Sequence, residues 1–153
     1  MIQLKRILVP TDFSKFSDVA LRYASEFSIR FNSELHLLNV VQNPAYLSPD
    51  PTLVTGAVQE FGEQLTHYAQ RQLDAVEPPF KPSKLTRSVR EGAPVVEIVR
   101  YAKENDIDLI VLGTHGRTGL SHVFLGSVAE NVVRKAPCPV LTVRHPEHDF
   151  VMP

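Results

Sequence analysis

Cysteine is almost absent: the one thiol, Cys138, rules out an intramolecular disulfide and a cysteine zinc cluster. Set between Pro137 and Pro139, it reads as a small buried apolar residue at the start of a strand rather than as a reactive group. Charge of one sign is also missing. Sixteen Lys plus Arg face seventeen Asp plus Glu, for a formal charge of −1, and no basic run is long enough to follow a polyanion, so nucleic acid is not an expected partner. No apolar stretch reaches spanning length, and Ile7 to Val9 before Pro10 is too short for the apolar region of a signal peptide. These absences predict a soluble cytoplasmic protein with no membrane insertion. Hydrophobic residues make up 43% of the 153, enough to bury the core of one globular domain, read as residues 1–145 followed by a C-terminal tail over 146–153.

Glycine is scarce too, yet four of the seven, Gly113, Gly116, Gly119 and Gly126, fall in one segment that follows an apolar run and ends in Gly126-Ser127. Phosphate oxygens need several backbone N–H donors close together; glycines let the main chain approach, and a helix N-terminus adds a favourable dipole. The segment therefore predicts an anion cradle. It is neither a P-loop, for want of Gly-Lys-Ser/Thr, nor the dinucleotide G-x-G-x-x-G. His115, Arg117 and His122 add potential positive charge suited to a polyphosphate, or stand as solvated loop residues. Ser127 with Glu130 also fits a capping box, which still leaves N–H groups for an anion. Leu120, Val123 and Phe124 form either a short lid turn or packing against the next helix.

Apolar periodicity supplies the organisation. Leu4 to Val9 predicts a strand, and Phe16, Val19, Ala20, Tyr23, Ala24, Phe27 and Phe31 a helix stripe. Leu35 to Val41 is a second strand, after which Pro44, Pro49 and Pro51 enforce an irregular connection. Val58, Phe61, Leu65, Ala69, Leu73 and Val76 mark a second helix, closed by Pro78-Pro79. Leu85 to Arg90 alternates and carries arginines, as at a sheet edge. Gly92-Ala93-Pro94 opens a third helix with Val95, Val96, Ile98, Val99 and Ala102 inward. Ile107 to Leu112 is strand four, Ser127 to Lys135 helix four, and Val140 to Val143 strand five. Strands alternating with helices give an α/β fold, an open five-stranded parallel sheet with helices on both faces, whose ligand lies where strand order reverses. No nucleophile with a base, no paired carboxylates at a fixed helical spacing and no cofactor lysine stands out, so the chain describes a binding site better than a reaction centre. His145 and His148 in the tail are too few to make a metal site.

Gly113-x2-Gly116-x9-Gly126-Ser127 resembles the ATP-binding signature of the universal stress protein family, and Ile7-Leu8-Val9-Pro10-Thr11-Asp12-Phe13-Ser14 resembles that family's first strand and turn. Ile107 to Leu112, Ser127 to Val133 and Pro137 to Leu141 extend the likeness over nearly the whole chain. The resemblance implies an adenine nucleotide alpha hydrolase-like fold with strand order 3-2-1-4-5. It implies that Gly113, Gly116, Gly126, Ser127 and the Val128 amide hold phosphates and ribose. Pro10, Thr11 and Asp12 would then lie against adenine and ribose, with Val40 meeting the base through its backbone and Leu112 the apolar residue before Gly113. Asp12, Thr11, Ser14 and Ser17 compete at the same time to cap helix one. The implied ligand is ATP, ADP or AMP, with Mg²⁺ or Mn²⁺ on the phosphates. The implied assembly is a homodimer through the edge strand Val140, Leu141, Thr142 and Val143. A nucleotide-dependent binding module with little turnover is expected, against two alternatives: a slow ATPase or phosphotransferase, and a nucleotide-free protein acting through protein contacts.

Overall fold

Apolar runs become strands and apolar stripes become helices in strict alternation. The elements are β1 (Arg6–Pro10), α1 (Lys15–Phe31), β2 (Glu34–Val41), α2 (Gly56–Ala75), β3 (Lys84–Glu91), α3 (Pro94–Glu104), β4 (Leu109–Gly113), α4 (Ser127–Lys135) and β5 (Val140–Val143). They belong to a computed structural model that describes residues 3–44, 55–114 and 126–144. The strands form one parallel sheet in the order β3-β2-β1-β4-β5, as expected. Ile7 and Val9 of β1 face α1 and α2 with Leu35, Leu37 and Val111, while Leu8 faces α3 and α4 with Leu38, Ile110 and Leu112. Burial on both faces explains why these strands read as continuous apolar runs rather than alternating ones.

The helices are rotated slightly from the faces their aromatics suggested. On α1 the buried residues are Ser17, Ala20, Leu21, Ala24, Ser25 and Ser28, whereas Tyr23 and Phe31 are about half exposed. Small side chains let the helix lie close on the sheet and leave the aromatics at its rim, where Tyr23, Phe27 and Phe31 meet edge to face. The buried serines satisfy themselves: Ser25 Oγ donates to Arg22 O at 2.9 Å and Ser28 Oγ to Ser25 O at 2.7 Å. Val96 of α3, expected inward, is 49% exposed, because Glu97, Ile98, Tyr101 and Ala102 form the buried side.

Phe61, expected in the stripe of α2, is likewise exposed, and the buried line runs through Gly62, Ala69 and Leu73. Gly62 yields its space to Asn43, whose side chain occupies the position a Cβ would need. Asn43 Nδ2 in turn donates to Glu91 Oε2 at 2.9 Å, and Thr66 Oγ1 donates to Glu91 Oε1 at 2.6 Å. At the other end Arg87 donates from Nε to Leu73 O at 3.1 Å and from Nη2 to Val76 O at 2.7 Å, satisfying the last carbonyls of α2. The edge strand β3 thus holds α2 at its middle and at its C-terminal end. Cys138 packs partly buried beside the α3/α4 core, and burial, then the Asp108 carboxylate, pushes its thiol pKa up, away from the reactive thiolate form.

One polar group lies deep between β2 and α3. His36 is 4% exposed; its Nδ1 is 2.9 Å from the Tyr101 hydroxyl, and the rings meet edge to face. Nε2 sits 3.3 Å from Glu34 Oε1 without a hydrogen bond. Burial would raise the Glu34 carboxyl, but the Thr86 hydroxyl at 2.7 Å and Lys84 Nζ at 2.9 Å outweigh it and hold the pKa below the usual value. For His36 burial is the larger influence; it holds the imidazole below the ordinary 6.5 despite Glu34. The unfolded chain therefore takes up a proton near pH 6.5 that the folded chain refuses. Stability contributed by neutral His36 is complete above that pH and declines as pH falls through 6.5 toward the depressed folded value. Urea midpoints at pH 8 and pH 5.5 should show this fall, and His36→Gln should flatten it.

Candidate functional site

Strand order reverses between β1 and β4, since the chain winds from β1 outward to β3 and then crosses to the other side of β1. The turn after β1 is built by its own polar side chains. Thr11 N donates to Leu38 O at 2.8 Å, Asn39 Nδ2 donates to Thr11 O at 2.7 Å, and Phe13 N donates to Thr11 Oγ1 at 3.1 Å. Phe13 takes φ 63°, a left-handed conformation that these bonds hold in place. Of the four candidate caps, Ser14 caps α1 by accepting from Ser17 N. Asp12 braces the cap: its Oδ1 accepts from Ser14 N at 3.1 Å and from Ser14 Oγ at 2.6 Å.

Across the crevice, β4 ends at Gly113. A Cβ there would lie 2.7 Å from Phe16 O, so this glycine is required for α1 to approach β4 whatever the ligand. Thr114 N donates to Val143 O at 2.9 Å and Gly126 N to Thr114 O at 2.6 Å, which seats the start of α4 against the ends of β4 and β5. The capping box does not form. Gly126 is the N-cap, with no side-chain cap bond, and Ser127 is already the first helical residue. The first intrahelical bond is Glu130 N to Gly126 O at 2.9 Å, so the N–H groups of Ser127, Val128 and Ala129 have no acceptor in the helix.

These parts enclose a cavity of about 630 Å³ over the strand ends. Pro10, Thr11, Asp12, Val40, Leu112, Gly113, Gly126, Ser127 and Val128 all line it. His115, Gly116 and Arg117 lie outside the described residues, as do His122, the turn of Leu120, Val123 and Phe124, and the tail with His145 and His148. Val40 is placed by strand alternation. Leu38 turns its carbonyl toward Thr11 on the β1 side and Val41 toward Gly92 on the β3 side. Val40 N–H and C=O therefore point to the β1 side, past the residues with which β1 could pair. The sequence did not single out Asn39, whose amide reads as an ordinary polar strand residue, nor Leu65 and Tyr68 of α2 or Pro94 and Ile98 of α3, which form two further walls. Leu65 and Ile98 carried only a core signal, and Tyr68, 54% exposed, lay off the apolar stripe. No group of three His, Cys, Asp or Glu residues suited to a metal occurs among the described residues.

The model of the universal stress protein family matches residues 3–144. The chain belongs to the universal stress protein family. Universal stress protein MJ0531 of Methanocaldococcus jannaschii is 36% identical over 95% of this chain and 85% of its own length. Universal stress protein MJ0577 of the same organism is 32% identical over 94% and 96%. The solved structure of MJ0577 superposes with TM-score 0.80 at 31% identity, covering 95% of this chain and 99% of that one. UspA of Lactobacillus plantarum superposes with TM-score 0.75 at 29%, covering 94% and 100%. Two more distant structures share the fold: a universal stress protein in complex with cAMP, 23% identical with TM-score 0.61 over 93% of this chain and 98% of that one, and one from Archaeoglobus fulgidus in complex with dAMP, 20% identical with TM-score 0.54 over 93% and 98%.

In this universal stress protein Gly113 has a packing duty independent of any ligand. Gly113→Ala should destabilise the ligand-free protein by about 1–3 kcal/mol, the usual cost of forcing a methyl group into a filled contact. Chemical denaturation measures it, and an unchanged midpoint would show that Phe16 moves aside freely.

Proposed function

We propose that this protein binds an adenine nucleotide, ATP or its ADP and AMP relatives, in the crevice between β1 and β4, and acts in the cytoplasm as a nucleotide-dependent binding module with little turnover. The observation that carries this reading is the pairing, in one cavity, of a helix N-terminus offering three N–H groups with a strand whose N–H and C=O at Val40 look past β1. The first suits phosphate oxygens. The second offers a donor and an acceptor side by side, the pattern on the N1 and 6-amino edge of adenine. Thr11 and Asp12 line the same cavity, where the ribose of such a ligand would fall. About 630 Å³ lies in the range of small-ligand pockets. The cAMP and dAMP complexes of distant fold relatives point to the same ligand class.

Among the described lining residues Asp12 is the one carboxylate, and its Oδ1 braces the α1 cap. Hydrolysis needs a positioned water, a base and charge neutralisation near the γ-phosphate, and a group already holding a helix cap is poorly placed to supply them. A Mg²⁺ or Mn²⁺ ion accompanying the phosphates would have that same carboxylate to draw on. No helix among the described residues is long and apolar enough to cross a membrane.

Calorimetric titration with ATP, ADP and AMP tests the reading, and a hundredfold excess over Kd should add about 2.7 kcal/mol to stability. Ser127→Pro is the sharp variant, because proline suits the first helical position and removes one N–H and one hydroxyl together. It should keep the fold and lose about tenfold to a hundredfold in affinity, the usual worth of a hydrogen bond to a charged group. No heat and no melting shift with any nucleotide would overturn the proposal, and several turnovers per minute with ATP and Mg²⁺ would replace the module by an enzyme.

The edge of β5 supports a homodimer. Pro139 and Val143 send their carbonyls to Ile110 and Thr114 of the β4 side, so alternation turns the main-chain groups of Val140 and Thr142 outward, where a second β5 would pair through a twofold axis. Thr142→Pro deletes an outward N–H without touching the β4 ladder. Light scattering should report a dimer for the wild type and a monomer for this variant; a monomeric wild type would end the idea.

A further inference from the structure

We propose that Tyr68 stacks on the nucleobase and supplies a base-dependent part of the affinity, an inference that rests on the nucleotide reading above. Main-chain hydrogen bonds of a strand lie in the plane of its sheet. A base that meets Val40 N–H and C=O by its edge therefore continues that plane beyond the end of β1. Its two flat faces then look toward the two helix layers. On the α3 side the wall is Pro94 and Ile98; on the α2 side it is Leu65 and Tyr68. The base also falls at the right end of the cavity for these walls. Val40 on β2 stands two strand spacings, roughly 10 Å, from β4, which leads to α4, and α2 packs on β2 and β3. Phosphates at α4 and a base at β2 span that interval as a nucleoside phosphate does.

Tyr68 differs from the rest of the lining. Ile98, only 4% exposed, belongs to the α3/α4 core, and Leu65 and Pro94 are half-buried, whereas Tyr68 is 54% exposed on the cavity rim. An aromatic ring left half in water gains most from a flat apolar partner. Its helix is also held still: the Asn43–Glu91–Thr66 bonds and the Arg87 bonds to Leu73 O and Val76 O tie α2 to β3 on either side of residue 68. A ring on so anchored a helix offers a prepared surface. Stacking favours a base over none but tolerates its identity; the Val40 edge provides the adenine preference.

The experiment compares wild type, Tyr68→Phe and Tyr68→Ala by calorimetry with AMP and with inorganic tripolyphosphate. Tyr68→Ala should bind AMP about tenfold to a hundredfold more weakly, Tyr68→Phe about as well as wild type, and tripolyphosphate should bind all three alike. Fluorescence gives an independent reading. The chain has no tryptophan and four tyrosines, so AMP should quench tyrosine emission in the wild type and less in Tyr68→Phe. AMP binding undiminished in Tyr68→Ala, or tripolyphosphate weakened as much as AMP, overturns the stacking role while the site stands. Wild type that binds neither AMP nor ATP overturns the site reading itself, and the stacking role with it.

Discussion

Helix α1 lies so close to β4 that the main chain of Phe16 fills the space of a side chain at Gly113, and the rest of the crevice is arranged around that contact. To come so near, the helix turns its alanines and serines to the sheet and its aromatics to the rim. The turn leading into it must then be tight, which accounts for the left-handed Phe13 and for the hydroxyl and carboxylate bonds of Thr11 and Asp12. The same approach sets Thr11 and Asp12 beside the end of β4, so two sequence blocks far apart in the chain meet as one surface. Close packing and site geometry are one constraint here. A bulkier residue at Gly113 disturbs both.

The crevice divides its chemistry along its length. At the α4 end the donors are backbone N–H groups fixed by a helix that has already begun, with Gly126 spent on Thr114 and no side-chain cap competing for them. At the β2 end the groups on offer are again main chain, exposed because β2 outruns β1. Side chains enter chiefly as walls. A site built this way would be selective for shape and for the order of donors and acceptors, and only weakly dependent on which side chains surround it, which accords with family members that share the fold at about 30% identity.

Much of this was legible in the sequence. Alternating strands and helices and the edge character of Leu85 to Arg90 followed from periodicity, the reversal at β1 and β4 followed from the family likeness alone, and nine of the expected site residues line one cavity. What escaped depended on contacts between distant segments. Val96 and Phe61 look like core residues by type, but burial on their helices was decided by how closely each lies on the sheet and by Asn43 seating against Gly62. Ser127 and Glu130 matched a capping box by spacing; the Thr114 carbonyl starts the helix one residue earlier by holding Gly126. Tyr68 gave no signal because its importance comes from facing a cavity that forms only when β2, α2 and α3 are assembled. His36 gave none either, since one polar letter in an apolar strand says nothing of the tyrosine it will meet.

The strand reversal has a consequence for how the protein comes into being on the ribosome. β1, β2 and β3 with α1 and α2 are synthesised in succession, and each parallel pairing among them needs only the helix just made. β1 nevertheless keeps one edge bare, because its second neighbour begins at Leu109. Closing that edge is the most sequence-distant step of the topology, and distant pairings form slowly. Until β4 arrives the crevice has its β1, β2, α2 and α3 walls but lacks Leu112, Gly113 and the start of α4 that close it. A nucleotide bound as proposed above would therefore meet only the finished domain, and its binding would report completion of the fold.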